Sequence, residues 1–372
     1  MTNAHACMIS APQNTHLTSH FIPYWPDNPY QPLLKAGLAK ENVTVETKST
    51  LVELASCVQK NEIVHLHWLP QAKLGPRQLY KIFQFVRGLH VLKRRGTPII
   101  WTAHNLIPHE SQIPRLDLCL SRRIAHLADC IICHSDSARS ELLDKLQLTE
   151  ASKIRVIAHG HYIDSYPNET TRKVSRSYFS LGDEDLVLLF LGRIRAYKGV
   201  FDLLDAFQKQ PSRNLKLLIA GKPHTSQVDQ EVRARVAADQ RVIYRPGYLP
   251  DTDIQLYMNA ADAVVFPYQK SLTSGALILA MSFGRACIAP HLAGTVDCLA
   301  DQGGILYRIE DPGGLIKALS TVENQKDGLA RMGERNLERA KSWEWQPIAR
   351  ATAECYRQAI ESKITVPCAQ NK

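Results

Sequence analysis

Short apolar runs alternate along the chain with amphipathic segments of helical period. In the first half, ACMIS (6–10), VTVET (43–47), EIVHLHWL (62–69), TPIIWTAHN (97–105), DCIICHS (129–135) and KIRVIAHG (153–160) read as strands. PYQPLLKAGLAK (29–40), ELASCVQK (53–60), PRQLYKIFQFVRGLHVLKRRG (76–96), PRLDLCLSRRIAHLA (114–128) and DSARSELLDKL (136–146) read as the helices between them. The rhythm breaks at 163–184, which is polar and irregular, and then restarts. LVLLFLG, LKLLIAG, RVIYRPGYL, DAVVFPY, ACIAP and GGILYR alternate with helical segments from 186 to 308.

Strand–helix alternation of this kind predicts an α/β protein with parallel sheets covered on both faces. A length of 372 residues suits two such domains. The expected organisation is a Rossmann-like domain over 1–165, a linker at 166–184 and a second Rossmann-like domain over 185–342. A helix over 343–361 is expected to cross back to the first domain, pinned by Trp343 and Trp345, with 362–372 frayed. Two doubly wound domains facing across a cleft would offer ligand sites at the carboxyl ends of their strands.

Charge narrows the partners. The net charge is +9, and between Gln71 and His126 ten Lys or Arg stand against two acids, Glu110 and Asp117. The plain reading is a solvated helix face. The alternative is a peripheral contact between the basic helix 76–95 and an anionic membrane. Nucleic acid is not expected, since zinc-finger spacing, an RNP-like strand and a helix-turn-helix pair are all missing from the sequence. No run of eighteen apolar residues predicts a membrane span. Nine scattered cysteines and an N-terminus without a basic flank and long apolar run suit a reducing cytoplasm. The Cys130–Cys133 pair lies in a strand and reads as core thiols rather than metal ligands.

The stretch LFLGRIRAYKGVFDLLDAF (189–207) carries the clearest chemistry. A strand runs into Gly192, Arg193 and Lys198 flank a turn, and Gly199 opens a helix. A basic pair at a strand-to-helix turn suits a diphosphate. In FPYQKSLTSGALILAMSFGRACIAP (266–290), Ser271, Thr273, Ser274 and Gly275 precede an apolar helix whose free N–H groups suit an anion. Simple capping by Thr273 or Ser274 is the alternative. Tyr248, in PGYL, lies at a strand end suited to a nucleoside. No P-loop is present, nor a DxD triplet of the kind that holds a metal on a nucleotide sugar, so no metal and no other cofactor is expected.

In the first half, His104, Asn105, His109 and Glu110 follow a buried strand, at the ligand edge of a doubly wound sheet. Asp27, Asn28 and Tyr30 lie in the loop YWPDNPYQ, where Asp27 is a candidate base and Asn28 before Pro29 is equally a helix-capping turn. Trp68 is a candidate for stacking on a sugar, and His161 in HGHY for lining the cleft. His65 and His67 share a strand face without a third metal ligand and read as packing or sugar contact.

Over its whole length the chain resembles the GT-B glycosyltransferases, and 189–207 is similar to the diphosphate-binding stretch of the GT4-like group. By that resemblance Arg193 and Lys198 contact the donor diphosphate. The second signature of that group carries two glutamates eight positions apart, and the matching positions here are Ser271 and Leu279. NPYQPLL, VHLHWLP, TAHNLIPHE and TSGALILAMSFG are similar to the bacterial exopolysaccharide β-mannosyltransferases of the GumI type. That likeness implies GDP-mannose as the nucleotide-sugar donor, a lipid-linked glycan acceptor, inversion, and a base among Asp27, His104 and Glu110. The alternatives are a retaining GT4-type transferase using a UDP-sugar and a non-catalytic GT-B partner of another transferase. The expected location is cytoplasmic, peripheral at the inner membrane.

Overall fold

The structure, a computed structural model, describes residues 16–47, 51–59, 62–108, 111–270 and 272–364. The first half runs β1 (Leu17–Ile22), α1 (Tyr30–Ala39), β2 (Val43–Glu46), α2 (Leu51–Cys57), β3 (Glu62–Leu66), α3 (Pro76–Arg94), β4 (Ile99–Thr102), α4 (Pro114–Leu127), β5 (Cys130–Cys133), α5 (Asp136–Leu146) and β6 (Ile154–Val156). It continues with α6 (Arg172–Tyr178), β7 (Leu186–Leu191), α7 (Val200–Gln208), β8 (Leu215–Gly221), α8 (Ser226–Val236), β9 (Val242–Pro246), α9 (Ile254–Ala260) and β10 (Ala263–Val265). The last elements are α10 (Gly275–Ser282), β11 (Ala286–Pro290), α11 (Ala293–Leu299), β12 (Gly304–Tyr307), α12 (Gly314–Asn324), α13 (Lys326–Lys341) and α14 (Trp345–Ile364).

The chain divides into two compact units. Among the described residues, unit 1 holds those up to Cys133, Leu142–Ile157 and those from Trp345 onward; unit 2 holds His134–Glu141 and Ala158–Glu344. Helix α5 contributes residues to both.

Unit 1 is built on a six-stranded sheet in the order β2-β1-β3-β4-β5-β6, with every pairing parallel. Its central strands β3, β4 and β5 are buried along nearly their whole length, as a parallel sheet covered on both faces requires. Helix α14 packs against α1, with the Trp345 and Tyr30 rings edge to face at 5.4 Å. The apolar run 6–10 lies outside the described residues. The first described strand, β1, has the sequence LTSHFI, and its polar Ser19 and His20 are buried. They interrupt the apolar pattern that marks the other strands. Strands β3 and β4 end sooner than the apolar runs suggest, so His67 and His104 stand beyond the last paired residues.

Unit 2 holds a second parallel sheet, ordered β12-β11-β10-β7-β8-β9. Its core on one face joins Leu188 and Phe190 of β7, Leu203 and Phe207 of α7, and Leu319 of α12. Residues 166–184, expected from sequence as a linker, include α6, capped by the Thr171 hydroxyl, which accepts from Val174 N at 3.3 Å. From that helix Arg176 donates to Asp262 at 2.8 Å, and the same carboxylate oxygen accepts from Val187 N at 2.7 Å. The segment is thereby anchored to the edge of β7.

Candidate functional site

In unit 2 the side chains of interest gather where β7 and β10 end and α7 and α10 begin. After β7 the chain makes a 3-10 turn, Ala196–Lys198, and enters α7 through Gly199 at φ 74°. No other residue fits there: a Cβ would run into the Pro267 carbonyl oxygen. The turn folds Lys198 back over the end of β7. Its ammonium lies 3.6 Å from the place a Cβ on Gly192 would occupy and 5.7 Å from the centre of the Tyr268 ring.

Lys198 is half-buried and Arg193 is exposed beside it. Burial first, then the positive charges of Arg195 and Arg193, pull the Lys198 ammonium down to about 8. Three cations, Lys198, Arg193 and Arg195, thus lie close enough at this turn to act on one another.

The second half of the site is the start of α10. The Ser274 side chain caps the helix by accepting from Leu277 N at 3.2 Å, and Ser274 also acts on the buried Tyr268 hydroxyl, opposing the rise that burial causes. Gly275 is the first helical residue. A Cβ on it would stand 3.2 Å from the Tyr162 hydroxyl and 3.9 Å from His159 Nε2, so this turn is closely walled. Tyr162 is fixed from behind, its N–H donating to Ser282 Oγ at 2.9 Å. His159 Nδ1 donates to the Gly160 carbonyl at 2.8 Å, and burial keeps the ring neutral by lowering it to about 3. The body of α10 is apolar and buried, and, as in any α-helix, the N–H groups of its first turn point out of this end.

Of the other donor-side candidates, Thr273 is half-buried beside Ser274, and Tyr248 is 76% exposed beyond β9. Ser271 lies outside the described residues. Leu279 is buried within α10, so no carboxylate is presented there. His161 turns elsewhere within unit 2: its N–H donates to the Trp343 carbonyl, Nδ1 accepts from Ile163 N, and Nε2 faces the Glu344 carboxylate at 3.6 Å. Its neighbours His159 and Tyr162, of the same HGHY stretch, are the ones at α10. The signal that could have found them is Gly275 itself, since a glycine opening a helix implies a close neighbour.

In unit 1, Tyr30, Trp68 and His104 come together at the carboxyl ends of β3 and β4. The His104 and Trp68 rings stack at 4.6 Å, Tyr30 meets His104 edge-on at 4.8 Å, and His67 Nδ1 lies 3.3 Å from His104 Nε2. Beneath them His65 is hydrogen-bonded at both nitrogens, to the Tyr356 hydroxyl at 2.6 Å and to Thr102 Oγ1 at 2.7 Å. Burial lowers His65 to about 3, so it is a neutral packing residue. Asn28 serves the turn, its Oδ1 accepting from Tyr30 N at 3.1 Å. Asp27 is exposed and Asn105 half-buried. Glu110 and His109 lie outside the described residues. Among the described residues no group of three His, Cys, Asp or Glu side chains is arranged to hold a metal ion.

Comparison with known proteins bears on the family and the fold. Residues 185–325 match the model described as "Glycosyl transferases group 1", and residues 79–164 match "Glycosyltransferase Family 4". The GDP-mannose:glycolipid 4-beta-D-mannosyltransferase of Xanthomonas campestris pv. campestris is 29% identical over 240 residues, 63% of this chain and 62% of that protein. The match thus spans less than two thirds of that relative's length. The sucrose-phosphate synthase of Thermosynechococcus elongatus superposes at a TM-score of 0.71 with 17% identity, covering 94% of this chain and 100% of the other. HepE of Anabaena, solved in complex with UDP and glucose, also superposes at 0.71 with 15% identity, covering 91% and 99%. With two parallel-sheet units and a glycosyltransferase model matching residues in each half, the chain belongs to the GT-B glycosyltransferases of the group 1 and family 4 type.

Proposed function

We propose that the chain is a glycosyltransferase that moves mannose from GDP-mannose onto a lipid-linked glycan during exopolysaccharide synthesis, with inversion and without a metal. The observation that carries this reading is the assembly of Lys198, Arg193 and the α10 N-terminus at one edge of the unit 2 sheet. Unit 2 takes the nucleotide. A leaving nucleoside diphosphate gains negative charge as its bond to the sugar breaks, and fixed cations with oriented backbone donors stabilise that charge. The Xanthomonas relative, a GDP-mannose:glycolipid 4-beta-D-mannosyltransferase, supports this choice of donor and of a glycolipid acceptor.

The acceptor is taken by unit 1. Its hydroxyl attacks the anomeric carbon, forming the new C–O bond as the bond to the donor phosphate breaks. The nucleoside diphosphate leaves with the electron pair, and a base takes the hydroxyl proton. The base is drawn from Asp27, His104 and Glu110. Ser271 and Leu279 stand where the retaining GT4 signature carries its two glutamates, and the loss of both favours inversion.

A glycolipid acceptor calls for a membrane contact, and α3 suits one. Leu79, Tyr80 and Phe83 are exposed on it, with Leu74 exposed just before it, and Arg77, Lys81 and Arg87 are exposed around them. Apolar side chains facing water within a basic helix are the pattern of an interfacial helix. Among the described residues no helix is long and apolar enough to cross a membrane, so the contact would be peripheral.

The test is transfer from GDP-mannose, UDP-glucose, UDP-galactose and GDP-fucose to a bacterial lipid-linked oligosaccharide extract, with the product's anomeric configuration read by NMR. A β-mannoside formed from GDP-mannose is the expected result. An α-mannoside from GDP-mannose would indicate a retaining enzyme. No transfer from any donor would leave the non-catalytic partner as the better reading.

A further inference from the structure

The loop after β1 carries a tryptophan that the sequence reading passed over. The Trp25 ring lies flat against Trp68, with centroids 4.2 Å apart and planes 16° apart, and Trp68 stacks in turn on His104 at 4.6 Å and 14°. Even so, Trp25 is 47% exposed. Its backbone is clamped on both sides. Trp25 N donates to Gln31 Oε1 at 2.7 Å, Gln31 Nε2 donates to the Pro23 carbonyl at 2.8 Å, and the Trp25 carbonyl accepts from Asn28 N at 3.0 Å. Gln31 is itself fully buried, so the clamp belongs to the core of unit 1.

From this arrangement we infer that the exposed part of Trp25 is a platform for a pyranose ring of the acceptor. The inference rests on the proposed transferase reading and names the chemistry by which unit 1 holds its substrate. A pyranose has a nearly flat face of C–H groups that packs on an indole, while its equatorial hydroxyls point outward to polar partners. Both requirements are met here. The indole is rigid, because its backbone is clamped and one neighbour already stacks on it, so binding orders little that was free. The exposed carboxylate of Asp27 lies two residues on and is an acceptor for sugar hydroxyls. The stack ends at His104, at the carboxyl edge of the sheet where ligands of such folds bind.

The other use of an exposed indole is as a membrane anchor. An acidic neighbour opposes insertion beside an anionic surface, and the basic, apolar surface that suits a bilayer is on α3 instead.

The experiment is saturation-transfer NMR on the whole chain with methyl β-cellobioside as the pyranose probe. Wild type, Trp25→Ala and Trp25→Phe are compared, with thermal melts to verify folding and calorimetry with GDP as a separate arm. Transfer to the ring C–H protons is expected in the wild type. Loss of one aromatic stacking contact should weaken binding by about fivefold or more in Trp25→Ala, with a smaller loss in Trp25→Phe. Unchanged transfer in a folded Trp25→Ala, or no transfer in the wild type, overturns the platform. If GDP still binds in that case, the transferase reading survives it; if GDP fails as well, both fall. Loss of binding to phosphatidylglycerol vesicles in Trp25→Ala, with sugar transfer unaffected, would assign the residue to the membrane instead.

Discussion

The Lys198 ammonium rests 5.7 Å from the centre of the Tyr268 ring, and the Tyr268 hydroxyl, which burial holds well above its usual range, is drawn the other way by Ser274 at the head of α10. The turn after β7 and the helix after β10 are therefore one assembly. A change in either half should be felt by the same anion.

That assembly gives nucleotide binding a pH dependence. With Lys198 lowered to about 8, a bound diphosphate favours the charged form, so GDP affinity should be flat below that value and weaken as pH rises through it. The free protein responds with the opposite sign. The unfolded chain keeps this proton toward 10.5, so the stability penalty is full below about 8 and relieved above it. Calorimetric titrations of GDP across this range should show the fall in affinity in the wild type and a flatter profile in Lys198→Arg.

Gly275 faces the Tyr162 hydroxyl at a spacing that leaves little room for a methyl group. Gly275→Ala is expected to cost about 1 kcal/mol of stability by overpacking. Tyr162→Phe should recover part of that loss, so the double variant is more stable than the two single changes add up to. Urea denaturation of the four proteins measures the coupling. Strict additivity would mean that the two residues do not press on each other.

Acid should weaken unit 1 through His65. Its ring titrates at about 3 when folded against 6.5 in the open chain, so the unfolded state gains a proton that the folded state refuses. Stability is thus lost as pH falls below 6.5 toward 3. His65→Gln should show a shallower acid dependence, followed by denaturant titrations at successive pH values. A slope equal to that of the wild type would show that other groups control the acid response.

Phe83 lies on the face of α3 where apolar side chains meet solvent among bases. Phe83→Glu should reduce sedimentation with anionic vesicles, and added salt should reduce that of the wild type. Thermal stability should stay within about 0.5 kcal/mol, since the residue is exposed. Vesicle binding unchanged by both treatments would remove α3 from the membrane contact.

The two sheets could be read in the sequence because their inner strands β3, β4, β5, β7, β10 and β11 are buried on both faces and form nearly unbroken apolar runs. Strand β1 escaped because Ser19 and His20 are polar yet buried. The phosphate-site candidates stood out as glycine-bounded turns with Arg193, Lys198 and Ser274 in fixed local positions. Contacts between residues distant in sequence were not legible. Periodicity gives the face on which a residue lies but not which loop crosses it. The pairing of His67 with His104, the wall that Tyr162 builds at Gly275 and the stacking of Trp25 on Trp68 therefore needed coordinates. His161 illustrates the limit: its place in HGHY could be read from the sequence, but not that its ring faces Glu344.

Titration of GDP into the wild type, Lys198→Ala and Arg193→Ala tests the central claim most directly. Saturable binding is expected in the wild type, weakened by about tenfold or more in each variant, as for the loss of a charge-assisted contact. Absence of saturable binding in the wild type, or equal affinity in all three proteins, would contradict a nucleotide-diphosphate site in unit 2.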